Sequence, residues 1–246
     1  MIEVNIFIPC FVDQLYPETG MSMVRILEKL GCRVQYNANQ TCCGQPAYNA
    51  GFFKEAREVA DKFLFDFGAD TFHYVVAPSA SCVGMVRNGY GLLYGADTPD
   101  KQRDYNRLRN RMHELSDFIV NVLKVERIAG SHYEGKVAYH DSCSALRECN
   151  VFAEPRKLLS HVRGLTLVDL PENETCCGFG GTFAVKFEAI SVAMAQQKVD
   201  YALEAGADTI VSTDTSCLMH LESYIKRNKL PMKTMHLADV LASGLN

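Results

Sequence analysis

The tripeptide Cys42-Cys43-Gly44 recurs later in the chain as Cys176-Cys177-Gly178. Single cysteines repeat with it at almost the same spacing, Cys10 with Cys143 and Cys82 with Cys217. Matches that keep nearly one register are not expected by chance. We therefore interpret the sequence as two copies of one unit, and this interpretation decides the predicted fold.

Other segments repeat in the same order. Gly68-Ala69-Asp70-Thr71 returns as Gly206-Ala207-Asp208-Thr209. We therefore predict a first unit at residues 1–125 and a second unit at residues 126–246. The first unit is longer because of an insertion or linker at about residues 88–111.

Apolar runs alternate with helical patterns in both units. In the first unit they predict strands at residues 4–8, 33–36 and 72–77 and helices at residues 21–30, 52–67 and after Cys82. In the second unit they predict strands at residues 136–139, 165–169 and 209–212 and helices near residues 154–162, 188–205 and 218–227. This alternation predicts an α/β fold with two pseudo-symmetric, Rossmann-like halves, each built on a parallel sheet.

The repeated cysteines follow the predicted strands. Single cysteines come just after the first and third strand of each half, and each couplet lies in the loop after the second strand. Because parallel strands end at one edge of a sheet, these thiols are expected to meet there. The predicted sets are Cys10, Cys42, Cys43 and Cys82 in the first half, and Cys143, Cys176, Cys177 and Cys217 in the second.

Composition limits the classes of function. The chain has 246 residues, of which 48% are hydrophobic and 22% charged, and its net charge is −4. These values are typical of a folded globular protein and make nucleic acid a poor candidate partner. We see no export signal and no apolar stretch long enough to span a membrane, so we expect a cytoplasmic protein without direct membrane insertion.

Ten cysteines in a reducing compartment indicate metal binding or redox chemistry rather than disulfides. Four thiolates suit a cubane iron–sulphur cluster and also a structural zinc ion. Adjacent cysteines favour the cluster, because it offers separate iron atoms to neighbouring side chains. Gly44 and Gly178 are expected to adopt left-handed backbone angles and to bring amide groups close to the cluster.

The cysteine pattern in each half resembles the cysteine-rich CCG domain family, which includes the B subunit of heterodisulfide reductase. Two phrases, Pro78-Ser79-Ala80-Ser81-Cys82 and Cys176-Cys177-Gly178-Phe179-Gly180-Gly181-Thr182-Phe183, are similar to the lactate-utilisation protein A group of that family. The resemblance covers nearly the whole chain.

The resemblance implies an iron–sulphur electron-transfer subunit of an L-lactate oxidising complex, with one [4Fe-4S]-type cluster in each half. It also implies further subunits as partners, so that the chain is not a self-sufficient enzyme and carries no catalytic residue of its own.

One departure from the family leaves alternatives open. Heterodisulfide reductase closes each unit with Cys-x-x-Cys, whereas this chain has Ser79 and Asp214 at the first of those positions. The sites therefore hold a cubane, a cluster with an oxygen ligand from one of these residues, or zinc. The alternative functions are a zinc-bound scaffold subunit and a thiol–disulfide redox protein like heterodisulfide reductase.

Three further side chains belong to the prediction. His140 precedes Cys143 and is placed beside the second site, where it tunes a cluster or moves a proton. Cys32 and Cys149 fall outside the repeat, which favours core packing for both.

Overall fold

The computed structural model describes residues 1–68, 73–95 and 97–245. The first half contains four strands, β1 (Glu3–Ile6), β2 (Arg33–Tyr36), β3 (Tyr74–Ala77) and β4 (Met112–Glu114). The second half also contains four, β5 (His132–Tyr139), β6 (Arg163–Val168), β7 (Thr209–Ser212) and β8 (Lys233–His236). The sheet orders are β2-β1-β3-β4 and β6-β5-β7-β8, and every pairing is parallel.

Helices connect the strands. Those of the first half are α1 (Cys10–Leu15), α2 (Pro17–Lys29), α3 (Gln45–Asn49), α4 (Phe53–Gly68), α5 (Ala80–Gly84), α6 (Tyr90–Tyr94), α7 (Pro99–Arg111) and α8 (Leu115–Asp117). Those of the second half are α9 (Ala153–Ser160), α10 (Thr182–Lys186), α11 (Glu188–Glu204), α12 (Thr215–Arg227) and α13 (Leu237–Ala242). π-helical turns cover Met85–Gly89, Phe118–Val122 and Ser144–Glu148. Within the described ranges, no helix has both the length and the apolar character needed to cross a bilayer.

The predicted α/β class with two parallel-sheet halves is confirmed. The fourth strand of each sheet, β4 and β8, was not predicted. The predicted third strand started at Phe72, which lies outside the described residues together with positions 69–71 of the first Gly-Ala-Asp-Thr segment. The strand is described from Tyr74.

One inner strand of each sheet is buried on both faces. Val75, Val76 and Ala77 of β3 are fully buried, and so are all four residues of β7. Parallel strands covered by helices on both sides require such continuous burial. The short apolar runs in the sequence are therefore explained by the layered architecture.

The two halves share one hydrophobic core. Val4 and Leu115 of the first half pack in the same cluster as Val137, Val211 and Leu237 of the second. Burying these side chains contributes roughly 1.5–3 kcal/mol each relative to leaving them exposed. The core holds the two sheets in a fixed relation, which matters for the site between them.

The segment predicted as an insertion or linker forms α6 and most of α7. Tyr90, Tyr94 and Tyr105 stack there against one another. The guanidinium group of Arg57 in α4 lies 4.3 Å from the centre of the Tyr94 ring. The segment is thereby packed onto the first half, while most of the basic side chains of α7 point towards solvent.

Equivalent buried side chains cap the last helix of each half. Glu114 Oε2 accepts hydrogen bonds from the backbone amides of Ser116 and Asp117, at 2.7 and 3.2 Å, and caps α8. His236 Nδ1 accepts from the amide of Ala238 at 3.0 Å and caps α13. Desolvation raises the pKa of Glu114 to about 8, although its hydrogen bonds oppose the shift.

Glu114→Gln is expected to change how stability depends on pH. The folded chain holds the Glu114 proton up to about pH 8, whereas the ordinary pKa of a glutamic acid, which applies to the unfolded chain, is 4.5. The contribution of the acid is therefore greatest at low pH and is lost as the pH rises towards 8. The difference in unfolding free energy between wild type and E114Q should fall by up to about 1.4 kcal/mol per pH unit across this window. Urea unfolding measures it, and a constant difference would contradict the assignment.

Candidate metal centre

The carboxyl ends of the inner strands of both sheets meet at a cavity of about 560 Å³ between the halves. Cys10 starts α1 just after β1, Cys82 lies in α5 after β3, and the couplet at 42–43 follows β2. The second half places its cysteines in the same way. All eight repeat-matched cysteines line this cavity: Cys10, Cys42, Cys43, Cys82, Cys143, Cys176, Cys177 and Cys217.

The first-half sulphurs form two neighbouring pairs. The Sγ atoms of Cys10 and Cys42 are 3.9 Å apart, and those of Cys43 and Cys82 are 3.3 Å apart. Cys43 and Cys82 are buried, whereas Cys10 and Cys42 are partly accessible from the cavity. The structure thus brings together four thiols whose positions span 73 residues of sequence.

The second-half sulphurs repeat this pairing. Cys143 is hydrogen-bonded to Cys176, and Cys177 is hydrogen-bonded to Cys217. Cys177 and Cys217 are buried, while Cys143 is exposed. The second site is therefore more open to solvent at its first cysteine than the first site is.

The glycine of each couplet makes a turn that only glycine fits. Gly44 and Gly178 have φ angles of +82° and +92°. A Cβ on Gly178 would lie 2.6 Å from the backbone oxygen of Ser191. In this conformation the Gly44 amide donates to Cys42 Sγ at 3.4 Å, and the Gly178 amide donates to Cys176 Sγ at the same distance. The predicted left-handed turns are present, and the approach of these amides to a cluster stays a prediction.

These contacts shift the pKa values of the thiols. The pKa of Cys42 is lowered, first by the hydrogen bond from Cys10, then by that from Cys43, with the Gly44 amide adding to the effect. The pKa of Cys176 is lowered in the same way, first by Cys143. Each site therefore favours a thiolate, the form that binds metal and reacts as a nucleophile, even before a metal contributes.

Ser79 and Asp214 meet each other across the boundary between the halves. Ser79 Oγ donates to Asp214 Oδ1 at 3.1 Å, and Ser81 donates to the same oxygen from its amide at 3.1 Å and from its hydroxyl at 2.7 Å. Asp214 Oδ2 accepts from the Ser142 hydroxyl. Both oxygens of this buried carboxylate thus accept hydrogen bonds, one from the other half of the chain. A ligand role for Ser79 or Asp214 stays a prediction.

His140 lies at the end of β5 and is fully buried. Among the described residues, neither of its ring nitrogens has a hydrogen-bond partner. One of these nitrogens and the sulphurs of Cys177 and Cys217 all lie within 4.8 Å of one another. Burial lowers the pKa of His140 to about 3, and the nearby Lys198 cation adds to this effect, so the ring is neutral.

The two cysteines outside the repeat, Cys32 and Cys149, are not among the residues that line the cavity. Cys32 packs in the core shared by the halves. Cys149 belongs to the second half, yet its thiol donates to the carbonyl of Ala80 in the first, at 3.3 Å. Both are buried in apolar surroundings, as core packing requires.

Sequence reasoning missed the side chains that support the couplets. The Tyr90 hydroxyl donates to the carbonyl of Cys43 at 3.0 Å. In the second half, Ser191 Oγ donates to the carbonyl of Gly178 at 2.8 Å and also contacts His220 at 3.1 Å. Nothing in the local sequence marks these residues, because the contacts depend on how α6 packs in the first half and how α11 packs against the couplet and α12 in the second.

Comparison with known proteins agrees with the geometry. Residues 4–87 and 137–222 each match the CCG cysteine-rich domain. The two matches cover most of the chain and contain all eight cavity-lining cysteines. The chain therefore belongs to the CCG cysteine-rich domain family, with two copies of the domain.

The predicted resemblance within that family is also confirmed. The chain is 42% identical to Lactate utilization protein A of Geobacillus kaustophilus over 240 residues, which cover 98% of each protein. It is 41% identical to Lactate utilization protein A of Bacillus subtilis over 242 residues, covering 98% of this chain and 100% of that protein.

A solved structure shares the fold. A hypothetical protein from Helicobacter pylori superposes with a TM-score of 0.61 at 11% sequence identity, and the match covers 99% of this chain. The chain spans about half the length of that protein, 49% of it. At this identity the likeness concerns the fold alone.

Asp214→Ala is expected to weaken the contact between the halves. The change leaves three serine hydroxyls and one amide without their acceptor, and each unpaired buried polar group costs about 1–3 kcal/mol. We expect the free energy of unfolding to fall by about 3 kcal/mol or more in urea unfolding.

Ser79→Ala is the matched control, because it removes one donor to the carboxylate, together with the long 3.5 Å cap on the Cys82 amide, and leaves the carboxylate paired with Ser81 and Ser142. We expect a loss of about 1 kcal/mol for this variant. Equal losses in D214A and S79A would show that the carboxylate does not hold the network together.

Proposed function

We propose that this protein is an iron–sulphur electron-transfer subunit of an L-lactate oxidising complex. The observation that carries the proposal is the pair of four-thiol sets at the rim of one cavity, each set on a repeated CCG domain. Curated relatives named Lactate utilization protein A supply the link to lactate.

The donor set supports clusters in preference to single ions. The nearest sulphur pairs of the first half lie 3.3 and 3.9 Å apart. Among the described residues, however, no three first-half ligand atoms all lie within 4.8 Å of one another. A tetrahedral zinc ion with Zn–S bonds of about 2.3 Å needs its four sulphurs mutually closer than that. A [4Fe-4S] cluster offers a separate iron atom to each thiol, so its four sulphurs need not all lie so close together.

The chain's own residues prepare the sites for such a group. When bound, iron–sulphur clusters supply one-electron transfer. The Gly44 and Gly178 amides donate to sulphur, which stabilises the negative charge on the ligands. Phe11 and Phe179, one from each half, line the same cavity and pack edge to face with ring centres 6.0 Å apart.

An apolar surface beside the cavity supports the proposal of partner subunits. Val185 lines the cavity and is 84% exposed, while Phe187 and Ile190 are 53% and 57% exposed. Clusters of large apolar side chains on a surface are typical of protein interaction sites. Further subunits of the complex are the occupants we propose.

Zinc in the second half is a second candidate. Only there, within the described part of the chain, do three ligand atoms from histidine and cysteine lie within 4.8 Å of one another. In that case the second half has a structural role and electrons pass through the first half alone.

Metal analysis of anaerobically purified protein tests the proposal. We expect about eight iron atoms and eight sulphides per chain, corresponding to two [4Fe-4S] clusters. Cys43→Ser and Cys177→Ser should each lose about half of this iron. Cys32→Ala is the matched control, since it removes a buried cysteine outside both sets and should keep all of it. Colourless wild-type protein that contains zinc would overturn the proposal.

Reduction by substrate tests the link to lactate. Oxidation of one L-lactate to pyruvate releases two electrons and two protons, and two one-electron clusters accept both electrons. In the complex isolated with its partner subunits, anaerobic L-lactate should bleach the visible absorbance of this subunit. Pyruvate is the control and should leave the absorbance unchanged. Unchanged visible absorbance after addition of L-lactate would show that this subunit does not accept electrons from lactate oxidation.

A further inference from the structure

The two sites differ in the residue that directly follows the first strand of each half. His140 precedes Cys143 by three residues, and Phe7 precedes Cys10 by three. Both side chains are fully buried. Phe7 lies in the same apolar cluster as Cys43 and Cys82. The repeat therefore places an imidazole in the second half where the first half has a phenyl ring.

The surroundings of His140 contain no protein partner for it. Within the part of the chain that the structure describes, both ring nitrogens are buried without a hydrogen bond. Leaving a buried polar group unpaired costs about 1–3 kcal/mol. The nearest potential ligands are the sulphurs of Cys177 and Cys217, within 4.8 Å. A metal with bonds of about 2.1 Å to nitrogen and 2.3 Å to sulphur spans such a gap after a small closing movement.

A second difference between the two repeats lies in the helix that follows each couplet. The buried face of α4 carries Ala60 and Phe63, and that of α11 carries Ala195 and Lys198 at the matching positions. Phe63 packs edge to face on Phe7 with ring centres 4.8 Å apart.

Lys198 is 1% exposed, and its ammonium group donates to the carbonyls of Glu172 and Asn173 at 3.0 and 3.1 Å. A buried cation is costly unless nearby negative charge offsets it. The Asp141 carboxylate supplies most of this charge, and the sulphurs of Cys177 and Cys176 add to it. An apolar pair behind the first site is thus replaced by a polar, cationic pair behind the second.

We propose that His140 is a direct ligand of the metal centre in the second half. The two sites then have different ligand sets, thiolates alone in the first half and thiolates with a neutral imidazole in the second. This inference rests on the proposed function in that the second site holds a metal centre.

The different ligands have a consequence for electron flow. In this arrangement His140 would take the place of one of the four thiolates on a cluster, and replacing thiolate by imidazole raises the reduction potential of an iron–sulphur centre. A second-half cluster held in this way would have the higher potential of the two and would be the electron acceptor of the pair.

Pulsed electron paramagnetic resonance on the reduced, anaerobically purified protein tests the ligand. The protein is labelled with ¹⁵N-histidine, and a directly bound imidazole gives a strong nitrogen coupling. The coupling should be present in wild type and absent in His140→Phe. His220→Gln is the matched control, because His220 lies beside the same couplet but already bonds to Ser191. It should keep the coupling.

A redox titration of the same proteins gives a second readout. In His140→Phe the higher of the two midpoint potentials should shift downward, while the lower one stays in place. Wild-type protein with two clusters and no strong ¹⁵N coupling would overturn the assignment of His140 as a ligand. The proposed function would remain intact.

Protein without iron would overturn the proposed function but not decide the ligand. The labelled protein is then loaded with ¹¹³Cd²⁺ alone, and a bound His140 gives a ¹⁵N–¹¹³Cd coupling in the nuclear magnetic resonance spectrum. Its absence from wild type would overturn the inference, and its loss in H140F alone would support it.

Discussion

Parallel strand direction is the constraint on which the rest of this structure depends. In each sheet the inner strands run the same way, so their carboxyl ends meet at one edge. The shared hydrophobic core then holds the two edges opposite each other across a cavity. Thiols far apart in sequence become neighbours without a dedicated metal-binding loop. The glycine turn of each couplet adds an amide donor to this arrangement.

Much of the fold was predictable because the same alternation of strands and helices occurs twice in the sequence. β2 and β7 begin and end as predicted, and α11 differs by a single residue. The edge strands β4 and β8 were missed because each is short and contains polar residues, including Glu114 and His236. Their assignment depends on pairing with an inner strand, which local periodicity does not report.

The cysteine sets were predictable from spacing, whereas the supporting contacts were not. Sequence placed Ser79 and Asp214 beside the sites, but their hydrogen bond to each other depends on how the halves pack. Lys198 was missed because a lysine in an amphipathic helix is normally solvent-exposed. An alignment of the two repeats places Phe63 and Lys198 at the same position. This difference between the repeats would have identified Lys198.

The pairing of Ser79 with Asp214 separates this chain from any symmetric assembly of single repeats. Two identical subunits related by a twofold axis would place two copies of the same residue opposite each other at this position. Two buried carboxylates there would repel each other, and two serines would lack the charge that gathers the surrounding donors. Two copies with different sequences, as in this fused duplication, can keep a hydroxyl opposite a carboxylate. Divergence of the two repeats is thus a physical requirement of this interface.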